Sequence, residues 1–183
     1  MTRYEMGGRG VFLATRERGR RVREEIEQEL ERLQPRGNLA ISFKGVEGIT
    51  VSFGDECVAK LIVARSAGDF DDRGLVIEEM NADVRETLEA VLARRKTAAV
   101  VLNAAGKPEM LGEPAWGNET LAAALELRSF RANDLADRLR ISPQAANNRL
   151  KVLVSSGAVA RERIVPAGGG KEFSYEVVVP AYA

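Results

Sequence analysis

Short apolar runs alternate with longer amphipathic segments through the first half of the chain, and this alternation most narrows the folds open to it. The runs are residues 39–43 (LAISF), 75–78 (LVIE) and 98–102 (AAVVL). Between them, apolar side chains recur at helical spacing on one side of charged segments. Strands that alternate with helices predict an α/β fold, a mixed sheet covered by helices.

The elements around this core have recognisable boundaries. A strand is predicted over residues 10–14, and Thr15 caps a helix that extends to about Leu33. The helix that follows Ser52 has an apolar stripe, and Lys60 and Arg65 are predicted to lie outside it. Asn81 is the expected N-cap of the last helix in this half. Residues 1–9 are interpreted as an N-terminal tail.

The loop in "FKGVEGITVSFGDECVAKL" carries two hydroxyls, Thr50 and Ser52, at a helix start. Such a hydroxyl can cap the helix, or it can accept a phosphate, which the free N–H groups and the dipole would stabilise. Ser52 with Asp55 fits the capping-box spacing, and Asp55 and Glu56 would repel a phosphate there. We therefore expect Ser52 to be the structural N-cap and Thr50 to be the phosphorylation candidate. An unmodified docking surface is the third interpretation.

Residues 10–103 resemble the STAS-like domains of bacteria, which are related to anti-sigma factor antagonists. The resemblance is carried by "FKGVEGITVSF", by "GDECVAKLIV" and by "VIEEMNADVRETLEAVLARR". It implies a docking or sensing module whose loop serine or threonine is phosphorylated by a histidine-kinase-like ATPase. The chain departs from that pattern, because Val51 rather than an aspartate precedes Ser52.

Composition excludes several kinds of active site. The chain has no histidine and one cysteine, Cys57, so His-based catalysis, a zinc cluster and an internal disulfide are ruled out. The acids Asp69, Asp71 and Asp72 lack an EF-hand pattern. We expect no enzyme, no metal and no cofactor. With no signal peptide and no run that could span a membrane, we expect a cytoplasmic protein.

A second domain is predicted over residues 118–183, after a linker at 104–117 that has a short edge strand at Met110 and Leu111. Asn118 is the expected cap of its first helix. Two further helices follow, and the second of them begins with Ser142 as N-cap and Pro143 at the first helical position. Two strand-like runs around a glycine-rich turn complete the domain.

This region resembles the winged helix-turn-helix domains of bacterial transcription regulators, a small α+β fold. The chain departs from their pattern at Arg131 and Arg140. The resemblance implies that the third helix enters the major groove of duplex DNA. Between Arg138 and Arg161 there are five basic residues and no acid, which favours contact with phosphates. The candidate DNA-binding residues are Ser142, Gln144, Asn147, Asn148, Arg149, Lys151, Arg161, Arg163 and Lys171.

Together these features predict a bacterial DNA-binding transcriptional regulator, whose STAS-like domain senses or docks a partner. The alternative is a protein-interaction adaptor that does not bind DNA, or the switch partner of a histidine-kinase-like ATPase controlled by phosphorylation. A second copy of the chain, forming a homodimer, is a further candidate partner.

Overall fold

The computed structural model describes residues 1–165 and 172–179, and they form a mixed α/β structure with a mostly parallel central sheet. The strands are β1 (Thr2–Glu5), β2 (Phe12–Leu13), β3 (Asn38–Ser42), β4 (Gly48–Ile49), β5 (Gly74–Glu78), β6 (Ala98–Leu102), β7 (Pro108–Gly112), β8 (Ser129–Arg131), β9 (Val159–Ile164) and β10 (Glu172–Val177). The helices are α1 (Arg16–Arg32), α2 (Val51–Gly54), α3 (Lys60–Ser66), α4 (Ala82–Arg94), α5 (Gly117–Leu127), α6 (Ala132–Leu139) and α7 (Pro143–Ser156). A 3₁₀ turn covers Gly7–Arg9, and a π-helical segment, Asp55–Ala59, joins α2 to α3.

The central sheet has the strand order β1-β3-β5-β6-β7. Its first four strands are parallel, and β7 runs antiparallel to β6. Successive strand residues point to opposite faces, so Leu39 and Ile41 of β3 enter one core while Ala40 between them enters another. Both faces are therefore buried, which explains the continuous apolar runs.

One face of the sheet is covered by α1, by the continuous helix from Val51 to Ser66, and by α4. The inward stripe of α1, Val22, Ile26 and Leu30, is completely buried in this core. The helix predicted from Thr15 to about Leu33 is confirmed, and Thr15 caps it by accepting a hydrogen bond from the backbone N–H of Arg18.

The opposite face of the sheet is covered by the C-terminal region, residues 117–165 and 172–179. Ala40, Val76, Val100 and Met110 of the sheet share one core with Leu121 of α5, Leu135 of α6 and Leu150 and Leu153 of α7. This region has its own antiparallel sheet in the order β8-β10-β9. The two predicted domains therefore pack against each other through a shared apolar core.

Backbone hydrogen bonds also connect the C-terminal region to the N-terminal half. The backbone N–H of Leu75 donates to the carbonyl of Gly157, and that of Arg161 donates to Asp71. Gly157 ends α7 with φ 87°, and a Cβ there would lie 2.6 Å from Leu75. Only glycine satisfies both the left-handed turn and this close approach.

Several boundaries differ from the predicted ones. Residues 1–9 are not a tail, because Thr2–Glu5 is the edge strand of the central sheet. Its sequence is short and polar, and its backbone pairing with β3 decides its structure. The strand predicted over residues 10–14 is reduced to Phe12–Leu13, which pairs with β4. The edge strand expected at Met110 and Leu111 is confirmed as part of β7.

Helix starts were predicted with mixed success. Asn81 and Ser142 are the N-caps of α4 and α7, and Pro143 follows Ser142 as predicted. Asn118 is not a cap: α5 begins one residue earlier, and the Asn118 amide exchanges hydrogen bonds with the backbone of Met110. Across residues 1–165 and 172–179, no helix has both the length and the apolar character needed to cross a membrane.

Candidate functional site

The hydroxyl that caps α2 is not the one predicted from the sequence. Thr50 is the N-cap, and its Oγ1 accepts from the backbone N–H of Phe53 at 3.3 Å. Ser52 lies inside the first turn, with its Oγ 3.2 Å from that of Thr50. The prediction that Ser52 is the N-cap is therefore wrong, because the helix begins two residues earlier.

The acids of this helix do not serve the helix start either. Asp55 receives a bidentate pair from Arg95, with Nε at 2.7 Å and Nη2 at 2.8 Å. Glu56 accepts from Lys60 Nζ at 2.6 Å and from Arg16 Nη1 at 2.8 Å. The predicted capping box between Ser52 and Asp55 is absent, and both carboxylates are neutralised by basic partners.

These ion pairs shift the pKa values of the two acids. Hydrogen bonding from Arg95 holds the pKa of Asp55 below its ordinary value, against the opposing effect of burial. The hydrogen bond from Lys60, followed by that from Arg16, does the same for the pKa of Glu56. The two acids lie in the π-helical segment Asp55–Ala59, so the irregular turn coincides with buried, paired charge.

Exposed apolar side chains surround the loop. Val11 and Phe12 are each 57% exposed, and Val51 is 51% exposed. The Phe12 ring lies against Gly48, where a Cβ would be 2.9 Å away. We call Val11, Phe12, Thr50 and Val51 the loop surface. Neither Val11 nor Phe12 was predicted to belong to it, because the residues were assigned to a strand.

The first half of α7 presents a polar face to solvent. Gln144, Asn147, Asn148 and Lys151 are exposed, whereas Ala146, Leu150 and Leu153 are buried. The exposed amides bond within the helix: Gln144 Nε2 donates to Asn148 Oδ1 at 3.3 Å, and Asn147 Nδ2 donates to the carbonyl of Pro143 at 3.0 Å. Ser142 caps the helix through Ala145 N–H. These predicted residues are brought together on one face.

Arg149 does not belong to that face. Its side chain is 17% exposed and turns to α5, where Nη1 donates to Glu119 at 2.7 Å and to Thr120 at 3.1 Å. The guanidinium also lies 5.0 Å from the centre of the Trp116 ring. Partners far away in sequence hold the side chain inward, so the structure does not bring Arg149 together with the other predicted DNA-binding residues of α7.

Of the other predicted basic residues, some form ion pairs within the protein and others are exposed. Arg161 pairs with Asp71 and stacks on the Phe173 ring at 5.0 Å, so it joins the C-terminal region to the central sheet. Arg163 is exposed on β9. Lys171 lies outside the described residues. Arg138 pairs with Glu126, so acids from outside the Arg138–Arg161 window neutralise three of its five basic residues.

Arg65 is a buried charged residue, and its burial was not predicted from the sequence. It was placed outside the apolar stripe, yet it is 1% exposed. Nε donates to the carbonyl of Ser155 at 3.0 Å, and Nη2 donates to those of Arg73 at 2.7 Å and Val154 at 3.3 Å. Burial lowers its pKa to about 10. The spacing of four residues from Leu61 was the signal that could have located it on the inward side.

The described part of the chain has no cluster of three or more His, Cys, Asp or Glu side chains that could hold a metal ion. Asp71 forms an ion pair with Arg161, and Asp72 forms one with Arg73. Cys57 is buried and burial raises the pKa of its thiol, so it is suited to packing rather than to nucleophilic attack. Comparisons with protein-family models, with curated proteins and with solved structures found no match to this chain.

Proposed function

We propose that the chain is a DNA-binding regulator whose helix α7 reads duplex DNA. The element order of the C-terminal region, helix, strand, two helices and two strands, supports assigning it to the winged helix class. Its strand order, β8-β10-β9, agrees with that assignment. In such folds the N-terminal part of the second helix of the helix-turn-helix faces the bases.

The observation that carries the proposal is the exposed face of α7. Gln144, Asn147 and Asn148 offer paired donors and acceptors of the kind that recognise adenine edges, and Lys151 lies beyond them on the same face. No acidic residue occurs anywhere in α7. The opposite face is buried in the core, so the orientation of the exposed face is fixed before any ligand arrives.

The DNA-contacting set that we propose is smaller than the sequence indicated. Arg149 and Arg161 serve the protein's own packing, as their ion pairs indicate. The phosphate contacts come from three exposed basic residues: Arg140 in the turn before α7, Lys151 on α7 and Arg163 on β9. Phosphate contacts position the protein on the duplex, and the amides of α7 supply the sequence preference.

The N-terminal half then serves as the regulatory part. The loop surface offers exposed apolar side chains beside Thr50, which suits docking of a protein partner. One candidate partner is a histidine-kinase-like ATPase, which would transfer a phosphate to Thr50 or Ser52. Intact-mass measurement after incubation with ATP and the candidate partner distinguishes a phosphorylated loop from a docking surface.

The helix from Val51 to Ser66 offers a physical route between the two parts. It begins at the Thr50 cap and, near its other end, Arg65 bonds to carbonyls in the last turn of α7. At 1.5 Å per residue, a helix of this length spans about 24 Å. Movement at the loop surface would therefore act on α7 through one continuous run of helix.

The second candidate function is that of an adaptor that binds protein alone. The observation in its favour is the neutralisation of Arg138, Arg149 and Arg161 by acids of the same chain. This leaves fewer cations for a DNA backbone than the sequence suggests. The adaptor predicts no preference among duplex sequences, which separates it from the first proposal.

Selection from a pool of random-sequence duplexes tests the proposal. We expect the chain to enrich a common sequence, and we expect Gln144→Ala or Asn148→Ala to weaken that preference, because a bidentate pair between a side chain and a base contributes about 1–3 kcal/mol of discrimination. Gln28→Ala, a matched change at an exposed position of α1, should leave the selected sequence unchanged. Enrichment of no common sequence by the wild type would favour the adaptor.

A further inference from the structure

A cavity of about 700 Å³ lies at the carboxyl ends of the parallel strands, and none of its lining residues belongs to α7 or to the loop surface. Glu78 is the last residue of β5, Leu102 is the last of β6, and Ala82 begins α4. All three line the cavity, and Arg3 of β1 reaches it as well. The carboxyl edge of a parallel sheet is where α/β proteins hold small ligands.

Glu78 supplies a buried carboxylate to this cavity. Its side chain is 6% exposed. Oε1 lies 2.7 Å from Nε of Arg3 in an ion pair, yet it accepts no hydrogen bond from the described residues. A buried carboxylate that accepts no hydrogen bond through one oxygen leaves an acceptor for a ligand donor.

Glu79 places a second carboxylate in the same cavity. Neighbouring residues of a regular strand point to opposite faces. Glu79 departs from the strand with φ 56°, in the left-handed region that an L-residue with a side chain adopts at a cost. Its Oε2 accepts from Ser42 Oγ at 2.8 Å. The two successive acids thus line one cavity instead of opposite faces.

The remaining polar groups of the lining are already engaged. Arg85 pairs with Glu109. Asn81 accepts from Val84 N–H and donates to the carbonyl of Glu47 at 2.8 Å. The Asn103 side-chain oxygen accepts two backbone N–H groups of its own turn. These groups shape the cavity, and Glu78 and Glu79 are left to contact a ligand.

The charge of the lining selects the ligand class. Three carboxylates, those of Glu78, Glu79 and Glu109, face two guanidinium groups, those of Arg3 and Arg85. The balance is negative by one. Met80 and Leu102 add apolar surface beside the acids.

We propose that this cavity binds a small organic cation, an ammonium or guanidinium group on a short aliphatic chain. Its N–H donors bond to Glu78 and Glu79, and its aliphatic chain packs on Met80 and Leu102. A bare metal ion fits less well, because no three His, Cys, Asp or Glu side chains of the described residues come together as metal ligands. The assignment is independent of DNA binding, since none of the lining residues belongs to the C-terminal region.

Isothermal titration with 1,4-diaminobutane and with agmatine tests this site. 1,4-Butanediol is the neutral probe of matched length, and glutarate is the anionic probe. We expect saturable binding of the amines, with at least tenfold weaker binding of the diol and of glutarate. Glu79→Gln should weaken amine binding at least tenfold, because it removes the charge that Ser42 positions.

Glu31→Gln provides the control, since it removes the same charge from an exposed position of α1 outside the cavity. It should leave amine affinity within twofold of the wild type. Binding of the diamine no tighter than that of the diol would overturn the proposal. An equal loss in Glu31→Gln and Glu79→Gln would overturn it too, because attraction would then reflect overall charge.

Discussion

The hydroxyl of Thr50 caps the start of the helix from Val51 to Ser66, which consists of α2, the π-helical segment and α3. Its Oγ1 satisfies the Phe53 N–H, and Ser52, two residues later, contributes a hydroxyl that contacts Thr50. The two positions look alike in sequence, but only the first has the extended backbone of an N-cap, with φ −81° and ψ 153°.

Replacing Thr50 should therefore cost more stability than replacing Ser52. We expect Thr50→Ala to lower the free energy of unfolding by about 1 kcal/mol, the usual cost of losing an N-cap hydroxyl. Ser52→Ala should cost less than half of that. Urea denaturation of the two variants measures the difference, and a larger loss in Ser52→Ala would contradict the assignment of the cap.

At the scale of elements, the π-helical segment between α2 and α3 combines an irregular backbone with two buried acids. Asp55 and Glu56 are adjacent, and basic residues from three other positions neutralise them: Arg95, Arg16 and Lys60. These pairs tie α1 and the end of α4 to the segment. Their contribution to stability depends on both acids remaining ionised.

The pH dependence of stability should report these pairs. Because the folded-state pKa values of Asp55 and Glu56 lie below their ordinary values, their contribution is complete above about pH 5 and is lost as the pH falls through the lower folded-state values. Asp55→Asn should be destabilised most near neutral pH, with the difference from the wild type shrinking toward pH 3.

Urea denaturation from pH 7 to pH 3 measures that difference. Glu89→Gln, at an exposed position of α4, is the control and should remain close to the wild type throughout. A deficit in Asp55→Asn that stays constant over the whole range would show that lost packing, rather than the ion pair, destabilises this variant.

Which elements could be predicted depended on the range of the signals that specify them. Asn81 and the Ser142-Pro143 pair were predicted because a cap acts within one turn of chain. Thr2–Glu5 was missed, since its pairing with β3 is a long-range contact and its own pattern is weak. The sequence around Asn118 fits an N-cap, but its side-chain amide oxygen accepts a hydrogen bond from the backbone of β7 instead.

The candidate DNA-binding face was predictable only in part, for the same reason. Gln144, Asn147 and Asn148 lie on the outer side by helical spacing alone. Whether Arg149 and Arg161 are free or paired depended on Glu119 and Asp71, which lie far from them in sequence. A count of local basic residues therefore overestimated the positive charge of the surface.

At the scale of the whole molecule, the central sheet and the C-terminal region form one packed structure. Arg65 is the polar centre of their contact, because it donates to carbonyls of the last turn of α7. A cation at this end of a helix also interacts favourably with the helix dipole. The N-terminal half and α7 should therefore unfold together.

Arg65→Met tests this coupling. We expect it to lower the free energy of unfolding by about 2–4 kcal/mol, because it removes the donor from the buried carbonyl of Ser155 and from the half-buried carbonyl of Arg73. Arg94→Met, at an exposed position of α4, should cost little. The unfolding transitions followed by far-UV circular dichroism and by the fluorescence of Trp116, the single tryptophan, should coincide. Two separate transitions would contradict the shared core.

The central claim is that the exposed face of α7 binds duplex DNA, and the salt dependence of binding tests it most directly. Fluorescence anisotropy with a labelled duplex of mixed sequence gives the slope of log affinity against log salt. We predict that Lys151→Ala lowers the slope by about 1, the effect of one lost phosphate contact. Arg149→Ala and the exposed control Lys107→Ala should leave it unchanged, since Arg149 faces Glu119 and Trp116. Affinity that does not fall with salt, or a slope that responds to Arg149 and not to Lys151, would contradict the claim.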